Sequence, residues 1–339
     1  MGNQFYQPVW VREDFIDFIA EKFHPTWAWK RVKASLLSKH ALSPDFSEFT
    51  LRPNQNFQKN TYKAGQSILL TLTLAGVRQQ RSYSIVKQHE NGDVTIAVKK
   101  QGSVSTAIHQ LSLGSIIEIS QPQGHFIIQD LKQPALMVAS GSGITAIYAQ
   151  IEYFLAKSTQ KIDLVYFHRD HAYVQDFEKL AQRFPQFHFH SIYTLEQKQH
   201  LDLDLFNQYV PDFQQRLCYG CGTAAMIGAL QNIYQTLNLQ QQLSVEYFRL
   251  KADPSISVQT VKFLRSQRVF EAQASLLESA EKAGLKPASG CRMGICNTCS
   301  CTKVEGAVKN MLTGEIDQQT NTQIKLCISQ AVSPVTINL

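Results

Sequence analysis

The sequence of 339 residues predicts a multidomain α+β protein: an antiparallel β-barrel, then an α/β domain, then a small C-terminal domain built around a cysteine-rich loop. Three observations predict this order: turn-separated β patterns between 33 and 126, strand–glycine–helix patterns at 134–155 and 216–230, and four cysteines within 289–301. The length suits two or three domains. The predicted limits are 1–32 for an N-terminal helical extension, 33–130 for the barrel, 131–248 for the α/β domain, 249–257 for a linker and 258–339 for the last domain.

The first segments alternate in the manner of half-buried strands. "RVKASLLSKHALSPDFSEFTLRP", "SILLTLTL", "VTIAVKK" and "SIIEIS" are rich in β-branched and apolar residues and are separated by turn residues. Such spacing predicts an antiparallel barrel of about 95 residues. One helix is predicted at 103–111.

The α/β domain opens with "PALMVASGSGITAIYAQIEYFL", a strand, a glycine turn and a helix at 134–155. Gly141, Gly143 and Ala146 fit G-x-G-x-x-G/A, which lets the backbone approach a pyrophosphate at a helix N-terminus. A tight structural turn explains the same glycines equally well. The next strand lacks the usual acidic residue and ends with Arg169, which can pair with the 2′-phosphate of NADP or lie solvated on the surface.

A second strand–turn–helix pattern is "RLCYGCGTAAMIGAL" at 216–230. Cys218 and Cys221 form a C-x-x-C pair by spacing, which raises the hypothesis of a thioredoxin-like redox site. These cysteines end a strand, whereas such a site begins a helix. We therefore disfavour a redox pair here.

Cys291, Cys296, Cys299 and Cys327 have the C-x4-C-x2-C…C spacing of plant-type 2Fe-2S ferredoxins. Gly290 and Gly294 let the loop turn tightly and direct N–H groups at the sulfurs. A zinc site more often shows paired C-x2-C knuckles, and disulfides are rare in the cytosol. Cys301 is interpreted as structural. The flanks predict a strand hairpin at 255–273, a helix from 276 that ends at Gly284, and a closing strand.

Four motifs in order give residues 33–248 a resemblance to the ferredoxin–NADP reductase superfamily. They are R-x-Y-S at 81–84, G-x-x-S at 102–105, "GSGIT" at 141–145, and a form of C-G-P-x-x-M at 221–226. Residues from about 252 onward resemble a complete plant-type ferredoxin. The resemblance implies a flavin barrel, a Rossmann-like nucleotide domain and a β-grasp 2Fe-2S domain. Ala146 and Thr223 stand where prolines are frequent in that superfamily.

The resemblance also implies roles for individual residues. Ser84 would face flavin N5 and Cys221 would border the nicotinamide, so both are candidate catalytic residues. Whether the flavin is FAD or FMN rests on the 102–106 turn, and FAD is expected. The implied cofactor-binding residues are Arg81, Ser82, Tyr83, Ser84, Val98, Lys99, Gly102, Ser103, Val104, Ser105, Thr106, Gly141, Ser142, Gly143, Ile144, Thr145, Arg169, Cys221 and Gly222. The implied metal ligands are Cys291, Cys296, Cys299 and Cys327.

The implied activity is that of an NAD(P)H-dependent electron-transfer reductase. A hydride from NADPH, with NADH as the alternative, reduces FAD, and single electrons then pass through the 2Fe-2S cluster to a separate acceptor. "HPTWAWKRVKA" and "FTLRPNQNF" resemble reductases that serve membrane-bound fatty-acyl desaturases. The alternative is an NADH-dependent reductase component of a ring-hydroxylating or other oxygenase. A redox sensor and a non-redox interaction protein are less favoured, since no basic stripe or decayed ligand set supports them.

The first residues indicate location and partners. They lack signal-peptide features, so a cytoplasmic protein is expected, with peripheral contact at the inner face of the membrane as a further hypothesis. A helix at 9–23 places Val11, Phe15, Phe18 and Ile19 on one stripe. The stripe suits a membrane interface. Glu13, Asp14 and Asp17 favour instead a helix packed across the barrel. The net charge of +6 is not clustered, so nucleic acid is not an expected partner.

Overall fold

The computed structural model describes residues 12–74, 76–248, 250 and 252–339, apart from the side chain of Asp14. Its secondary structure follows the predicted order of a barrel, an α/β domain and a cysteine-rich domain. The helices are α1 (Glu13–Phe23), α2 (Ser103–Gln110), α3 (Ile144–Lys157), α4 (Val174–Arg183), α5 (Thr194–Gln197), α6 (Leu203–Tyr209), α7 (Ala224–Thr236) and α8 (Leu276–Lys282).

Six antiparallel strands close the first barrel in the order β1-β2-β5-β4-β3-β6. They are β1 (Val32–Ser43), β2 (Phe46–Pro53), β3 (Ser67–Leu74), β4 (Val77–Gln88), β5 (Val94–Lys99) and β6 (Ile116–Ile119). Alternate side chains such as Ala34, Leu36 and Leu70 fill the interior, because successive residues of a strand point to opposite faces. The predicted barrel is confirmed.

A parallel five-stranded sheet follows in the order β11-β10-β7-β8-β9. Its strands are β7 (Ala135–Ser140), β8 (Ile162–His168), β9 (Phe187–Tyr193), β10 (Leu217–Gly222) and β11 (Leu243–Tyr247). The order of connection reverses between β7 and β10, and ligands of such sheets bind beyond the carboxyl ends of the strands at this point. Both glycine motifs of the sequence lie there, which confirms the Rossmann-like prediction.

The C-terminal domain has a mixed sheet in the order β13-β12-β19-β14-β17 and a small sheet in the order β16-β15-β18. The strands are β12 (Gln259–Phe263), β13 (Arg268–Ala272), β14 (Ser300–Glu305), β15 (Val308–Asn310), β16 (Ile316–Asp317), β17 (Thr322–Lys325), β18 (Ser329–Ala331) and β19 (Val335–Ile337). Helix α8 packs its buried Leu276 and Leu277 into the domain core. The hairpin, helix and closing strand of the predicted β-grasp domain are all present.

Helix α8 ends two residues earlier than predicted. Gly284 follows it with φ of +79°, and the N–H of Leu285 reaches back to the carbonyl oxygen of Ala280 at 2.9 Å. Glycine adopts this left-handed conformation without steric cost, so it terminates the helix rather than extending it.

Helix α1 lies on the barrel, with acidic side chains directed at it. Trp10 and Val11 of the predicted helix lie outside the described residues. Asp17 is fully buried, where it pairs with Arg31 and accepts a hydrogen bond from the Trp29 N–H at 2.6 Å. Glu21 pairs with Lys33 of β1. These barrel cations need carboxylate partners when buried, and leaving them unpaired costs more than exposing phenyl rings.

The apolar stripe of α1 consequently faces away from the barrel. Phe15, Phe18 and Phe23 are 65%, 54% and 76% exposed. The helix thus packs across the barrel through its acidic side, and its apolar stripe is exposed. Within the described residues, no helix is both long and apolar enough to cross a membrane.

The predicted linker at 249–257 is only partly described, since Arg249 and Lys251 lie outside the described residues. Asp253, within it, accepts a hydrogen bond from Lys309 at 2.8 Å, and its backbone N–H donates to Gln330 at 2.8 Å. The end of the linker is thus fixed to the C-terminal domain. The domain limits stay predictions. The strands of the described residues lie within them, except that β1 begins at Val32, one residue before the predicted barrel.

Candidate functional site

One cavity of about 340 Å³ lies where the barrel, the parallel sheet and the cysteine-rich domain meet. All three domains contribute side chains to its wall. The lining residues are Ser67, Arg81, Ser82, Tyr83, Ser84, Ala97, Lys99, Gln101, Gly102, Ser103, Val104, Ser105, Ser142, Thr145, Glu246, Tyr247, Phe248, Cys291, Met293 and Ile295. Many residues of the separate sequence motifs therefore border a single space.

The R-x-Y-S motif forms the barrel wall of this cavity on β4. Ser84 pairs with Ser67 of β3 and is buried, and its Oγ has no hydrogen-bond partner among the described residues. A buried hydroxyl without a partner costs free energy unless a ligand supplies one. Burial raises the pKa of the neighbouring Tyr83 to about 12, so its ring presents a neutral, apolar face. This wall fits a flavin ring with a polar edge directed at Ser84.

The N-terminus of α2 forms the polar end of the cavity. Gly102 and Ser103 line it at the first turn, where free N–H groups and the helix dipole favour an anion. Ser105 also lines the cavity, and its Oγ accepts hydrogen bonds from the N–H groups of Gln101 and Gly102, each at 2.9 Å. The contacts of Ser103 and Ser105 with a phosphate stay predictions.

Arg81 adds a cation to the same wall. Its guanidinium donates to the carbonyl oxygen of Gln80 at 2.7 Å, and burial together with nearby Arg292 lowers its pKa from the ordinary arginine value. A buried cation beside another cation is stabilised by an anion. The pyrophosphate of a dinucleotide such as FAD fits this end of the cavity.

The "GSGIT" loop closes the cavity from the nucleotide domain through Ser142 and Thr145. Its glycines bring strands together: a Cβ on Gly143 would lie 2.1 Å from the carbonyl oxygen of Cys221. A Cβ on Gly222 would lie 2.1 Å from the Ser140 Oγ. Gly143 is thus needed for packing between β7 and β10, in addition to any contact with nucleotide.

Eight predicted binding residues lie outside the cavity wall: Val98, Thr106, Gly141, Gly143, Ile144, Arg169, Cys221 and Gly222. Val98 is buried in the barrel core, and the N–H of Thr106 closes the first turn of α2 on Gly102. Ile144 is buried in the core of the nucleotide domain. Arg169 is exposed just after β8, at the carboxyl edge of the sheet. Their contacts with a cofactor stay predictions.

Lys99 lines the cavity and also joins two domains. It forms an ion pair with Asp170, which follows β8 in the nucleotide domain. A second bridge runs from the Tyr173 hydroxyl to Glu48 of the barrel at 2.8 Å. These contacts hold the segment that follows β8 against the barrel.

Cys221, the other predicted catalytic residue, is fully buried and does not line the cavity. Burial raises its pKa well above the ordinary thiol value. Its neighbour across β10–β11 is Glu246, which does line the cavity. The part that Cys221 plays at the nicotinamide stays a prediction.

Glu246 is a residue that sequence reasoning missed. Its Oε2 is buried without a hydrogen-bond partner among the described residues, and burial raises its pKa to about 8. A carboxyl in this state is partly protonated near neutral pH and can donate a hydrogen bond. The sequence feature that could have revealed Glu246 is that it is the one acidic residue within the strand "LSVEY". The next two residues, Tyr247 and Phe248, also line the cavity.

The cysteine loop reaches the flavin wall directly. Cys291, Met293 and Ile295 line the same cavity as Tyr83 and Ser84. Electron transfer between two groups requires that they lie close together. The contact between the cysteine loop and the R-x-Y-S strand is therefore more important for electron transfer than any single cluster ligand. No intervening domain separates the flavin wall from the cysteine loop.

The four cysteines form two neighbouring pairs. The N–H groups of Cys291 and Cys296 each donate to the sulfur of the other at 3.3 Å, and the sulfurs of Cys299 and Cys327 are 3.3 Å apart. The thiols of Cys296 and Cys327, with two backbone N–H donors, lower the pKa of Cys291. Within the described residues, no group of three or more ligand side chains suits a single metal ion. Two pairs of thiols suit two irons, each with two thiolates.

Comparisons with known proteins agree with this geometry. Residues 33–128 match the family model of the oxidoreductase FAD-binding domain, and residues 261–332 match that of the 2Fe-2S iron-sulfur cluster binding domain. The chain is therefore an oxidoreductase that carries FAD and a 2Fe-2S cluster on separate domains.

Relatives match most of the length of this chain. The chain is 27% identical to an NADPH oxidoreductase of Mycobacterium tuberculosis, with 93% of this chain and 86% of the relative covered. It is 23% identical to the glycine betaine monooxygenase reductase subunit of Chromohalobacter salexigens, with 81% and 87% covered. The solved structure of phthalate dioxygenase reductase covers 91% of this chain and 98% of its own, with 24% identity and a TM-score of 0.63, which shows the same fold.

Proposed function

We propose that this protein is the reductase component of an oxygenase system and transfers electrons from a pyridine nucleotide to a separate oxygenase. One observation carries the proposal: the flavin motif, the nucleotide loop and the cluster loop border one cavity. When bound, FAD accepts two electrons from a nicotinamide and releases them singly to a 2Fe-2S cluster. An arrangement with all three sites in contact serves that conversion.

The choice of acceptor is supported by the relatives. They include reductases named for phthalate dioxygenase, glycine betaine monooxygenase and vanillate O-demethylase, each covering more than three quarters of this chain. The oxygenase alternative of the sequence analysis is therefore favoured over its main interpretation.

A membrane-bound fatty-acyl desaturase is the second candidate acceptor. The outward aromatic face of α1 favours it, because a reductase with such a surface suits a partner held in a bilayer. The relatives named above point to oxygenases, so this candidate ranks second.

The residues of this chain position the reacting groups and need not supply general acid–base catalysis. We assign Arg81 and the N-terminus of α2 to the pyrophosphate, and Ser84 to a hydrogen bond with the flavin edge; their positions at one cavity support this. We assign the cluster to Cys291, Cys296, Cys299 and Cys327, whose close pairing supports it. Apolar walls from Met293 and Ile295 limit water between the two groups.

NADPH is the proposed electron donor. Arg169 is exposed where β8 ends, a position from which its guanidinium can pair with a 2′-phosphate. Arg169→Ala should lower kcat/KM for NADPH by about tenfold or more, since a charge-assisted hydrogen bond contributes about 1.5–3 kcal/mol. The value for NADH should stay within a factor of about two. Equal losses of kcat/KM for NADPH and NADH would show that Arg169 does not determine nucleotide specificity.

Two artificial acceptors test the proposed path. Ferricyanide accepts electrons from reduced flavin, whereas cytochrome c is expected to accept them from the cluster. The Cys296→Ser variant should retain ferricyanide reduction with NADPH and lose cytochrome c reduction by about a hundredfold. Equal rates with cytochrome c in both proteins would show that the cluster is not on the path. The Cys218→Ala variant is the matched control and should retain both activities.

A further inference from the structure

The outer side of α1 is a continuous apolar surface. Phe15, Phe18, Ile19 and Phe23 are called the α1 stripe below and are between 42% and 76% exposed. Phe18 and Ile19 follow Phe15 by three and four residues, and Phe23 follows Ile19 by four. Residues at this spacing share one side of a helix. Neighbouring large apolar side chains of this kind mark a surface that binds something.

The orientation of α1 is fixed by charge. Two of its acidic residues, Asp17 and Glu21, are engaged by Arg31 and Lys33 on the barrel side. Asp17 is fully buried, so its negative charge is neutralised and directed inward. This geometry removes Asp17 from the acidic residues that argue against an anionic binding surface.

Cations accompany the exposed rings. The Lys22 Nζ lies 4.9 Å from the centre of the Phe18 ring, and the Lys30 Nζ lies 4.8 Å from the centre of the Trp29 ring. Both lysines are exposed, and Trp27 and Trp29 are each about half exposed. Tryptophan and lysine favour the boundary between lipid headgroups and acyl chains.

We propose that the α1 stripe binds the surface of an anionic lipid bilayer. Its rings protrude from a convex helix, and a fluid interface accommodates protruding rings without a preformed groove. The basic flank then contacts lipid phosphates. The proposal goes beyond the proposed function, because membrane binding does not depend on which acceptor takes the electrons.

Intrinsic fluorescence gives a direct test, because all three tryptophans of the chain are at positions 10, 27 and 29. The holoprotein is titrated with phosphatidylcholine vesicles, with or without phosphatidylglycerol, and with matching lipids brominated on the acyl chain. We expect a blue shift and bromine quenching, both stronger with phosphatidylglycerol. Vesicle flotation measures the bound fraction independently.

The key variant is Phe15→Ser/Phe18→Ser/Phe23→Ser, which should weaken vesicle binding by about tenfold or more. Its matched control is Leu195→Ser/Val269→Ser/Ile316→Ser, three equally exposed apolar residues elsewhere, which should bind like the parent. Lys22→Gln/Lys30→Gln should weaken binding to phosphatidylglycerol vesicles by about fivefold per lysine.

Rates of ferricyanide reduction with NADPH should be equal in all these proteins, which separates failure of this proposal from failure of the proposed function. A parent that does not bind vesicles would overturn the proposal. So would a triple serine variant that binds as well as the parent, or a parent whose stripe forms a dimer in solution and ignores lipid. If the triple serine variant lost electron transfer to a purified oxygenase while the parent did not bind vesicles, the stripe would be a binding surface for the oxygenase instead.

Discussion

Two groups of cysteines in this chain show that backbone geometry determines whether neighbouring thiols are buried apart or brought together. Cys218 and Cys221 lie on β10, where alternation sends one into each of two separate apolar cores, with their thiols free and deeply buried. The four cluster cysteines lie on a glycine-containing loop and a distant turn, where N–H groups point at sulfur. Both groups contain a C-x-x-C spacing, yet only the loop brings its thiols together.

Ligand replacement should give the largest effect in this comparison. Cys296→Ser removes one of the four thiolates, so the purified protein should lose its 2Fe-2S absorbance almost completely while retaining FAD. Cys218→Ala should retain the full absorbance of both groups. A variant Cys296→Ser with normal iron content would contradict the assignment of the ligands.

The glycine before the first ligand should be nearly as sensitive. A Cβ on Gly290 would lie 2.7 Å from the Cys296 Sγ, which is closer than any real contact of this kind. Gly290→Ala should make iron loss to a chelator about tenfold faster, a magnitude typical of changes around metal ligands. Gly228→Ala is the control, because its Cβ has open space within α7. Equal chelation rates in the two variants would show that the loop tolerates a side chain.

Thiol reactivity sharpens the contrast further. Burial raises the pKa of Cys218 to about 12, compared with an ordinary value of 9.0. At mildly alkaline pH its thiolate should be about a thousandfold scarcer than that of an exposed cysteine, with a proportionally slower reaction with a disulfide reagent. Mass spectrometry of the holoprotein should find Cys218 and Cys221 unlabelled until denaturant is added. Rapid labelling of either in the native state would revive the redox-pair hypothesis.

The smallest effect concerns Glu246, the strand neighbour of Cys221. Burial raises its pKa to about 8 from 4.5, so the folded protein holds its proton more tightly than the unfolded chain does. Its contribution to stability is therefore complete below pH 4.5 and is lost as pH rises towards 8. Relative to Glu246→Gln, the parent Tm should fall by about 5 °C between about pH 5 and about pH 8. If the Tm values of the parent and of Glu246→Gln changed in parallel with pH, the carboxylate would be solvated and not buried.

Much of the site was predictable because its residues are consecutive along the chain. The R-x-Y-S strand, the loop at 102–105 and "GSGIT" each combine turn residues with a strand or helix, and each contributes residues to the cavity wall. The cluster spacing carries its own geometry, since three ligands share one loop. Local sequence suffices where local structure positions the group.

The parts that sequence reasoning missed depend on distant contacts. Glu246 reaches the cavity only because β11 pairs with β10. The orientation of α1 depends on Arg31 and Lys33, which attract its acidic side inward. Amphipathic pattern alone predicts that the apolar side is buried. Ion pairs from another element reversed that outcome here.

The most direct measurement is anaerobic stopped-flow absorbance of the holoprotein mixed with NADPH, at several protein concentrations. The shared cavity predicts fast flavin bleaching, followed by cluster bleaching at a rate constant that does not change with protein concentration. Cluster bleaching that accelerates with protein concentration would mean that electrons pass between molecules. Flavin bleaching without cluster reduction would likewise contradict direct transfer across this cavity.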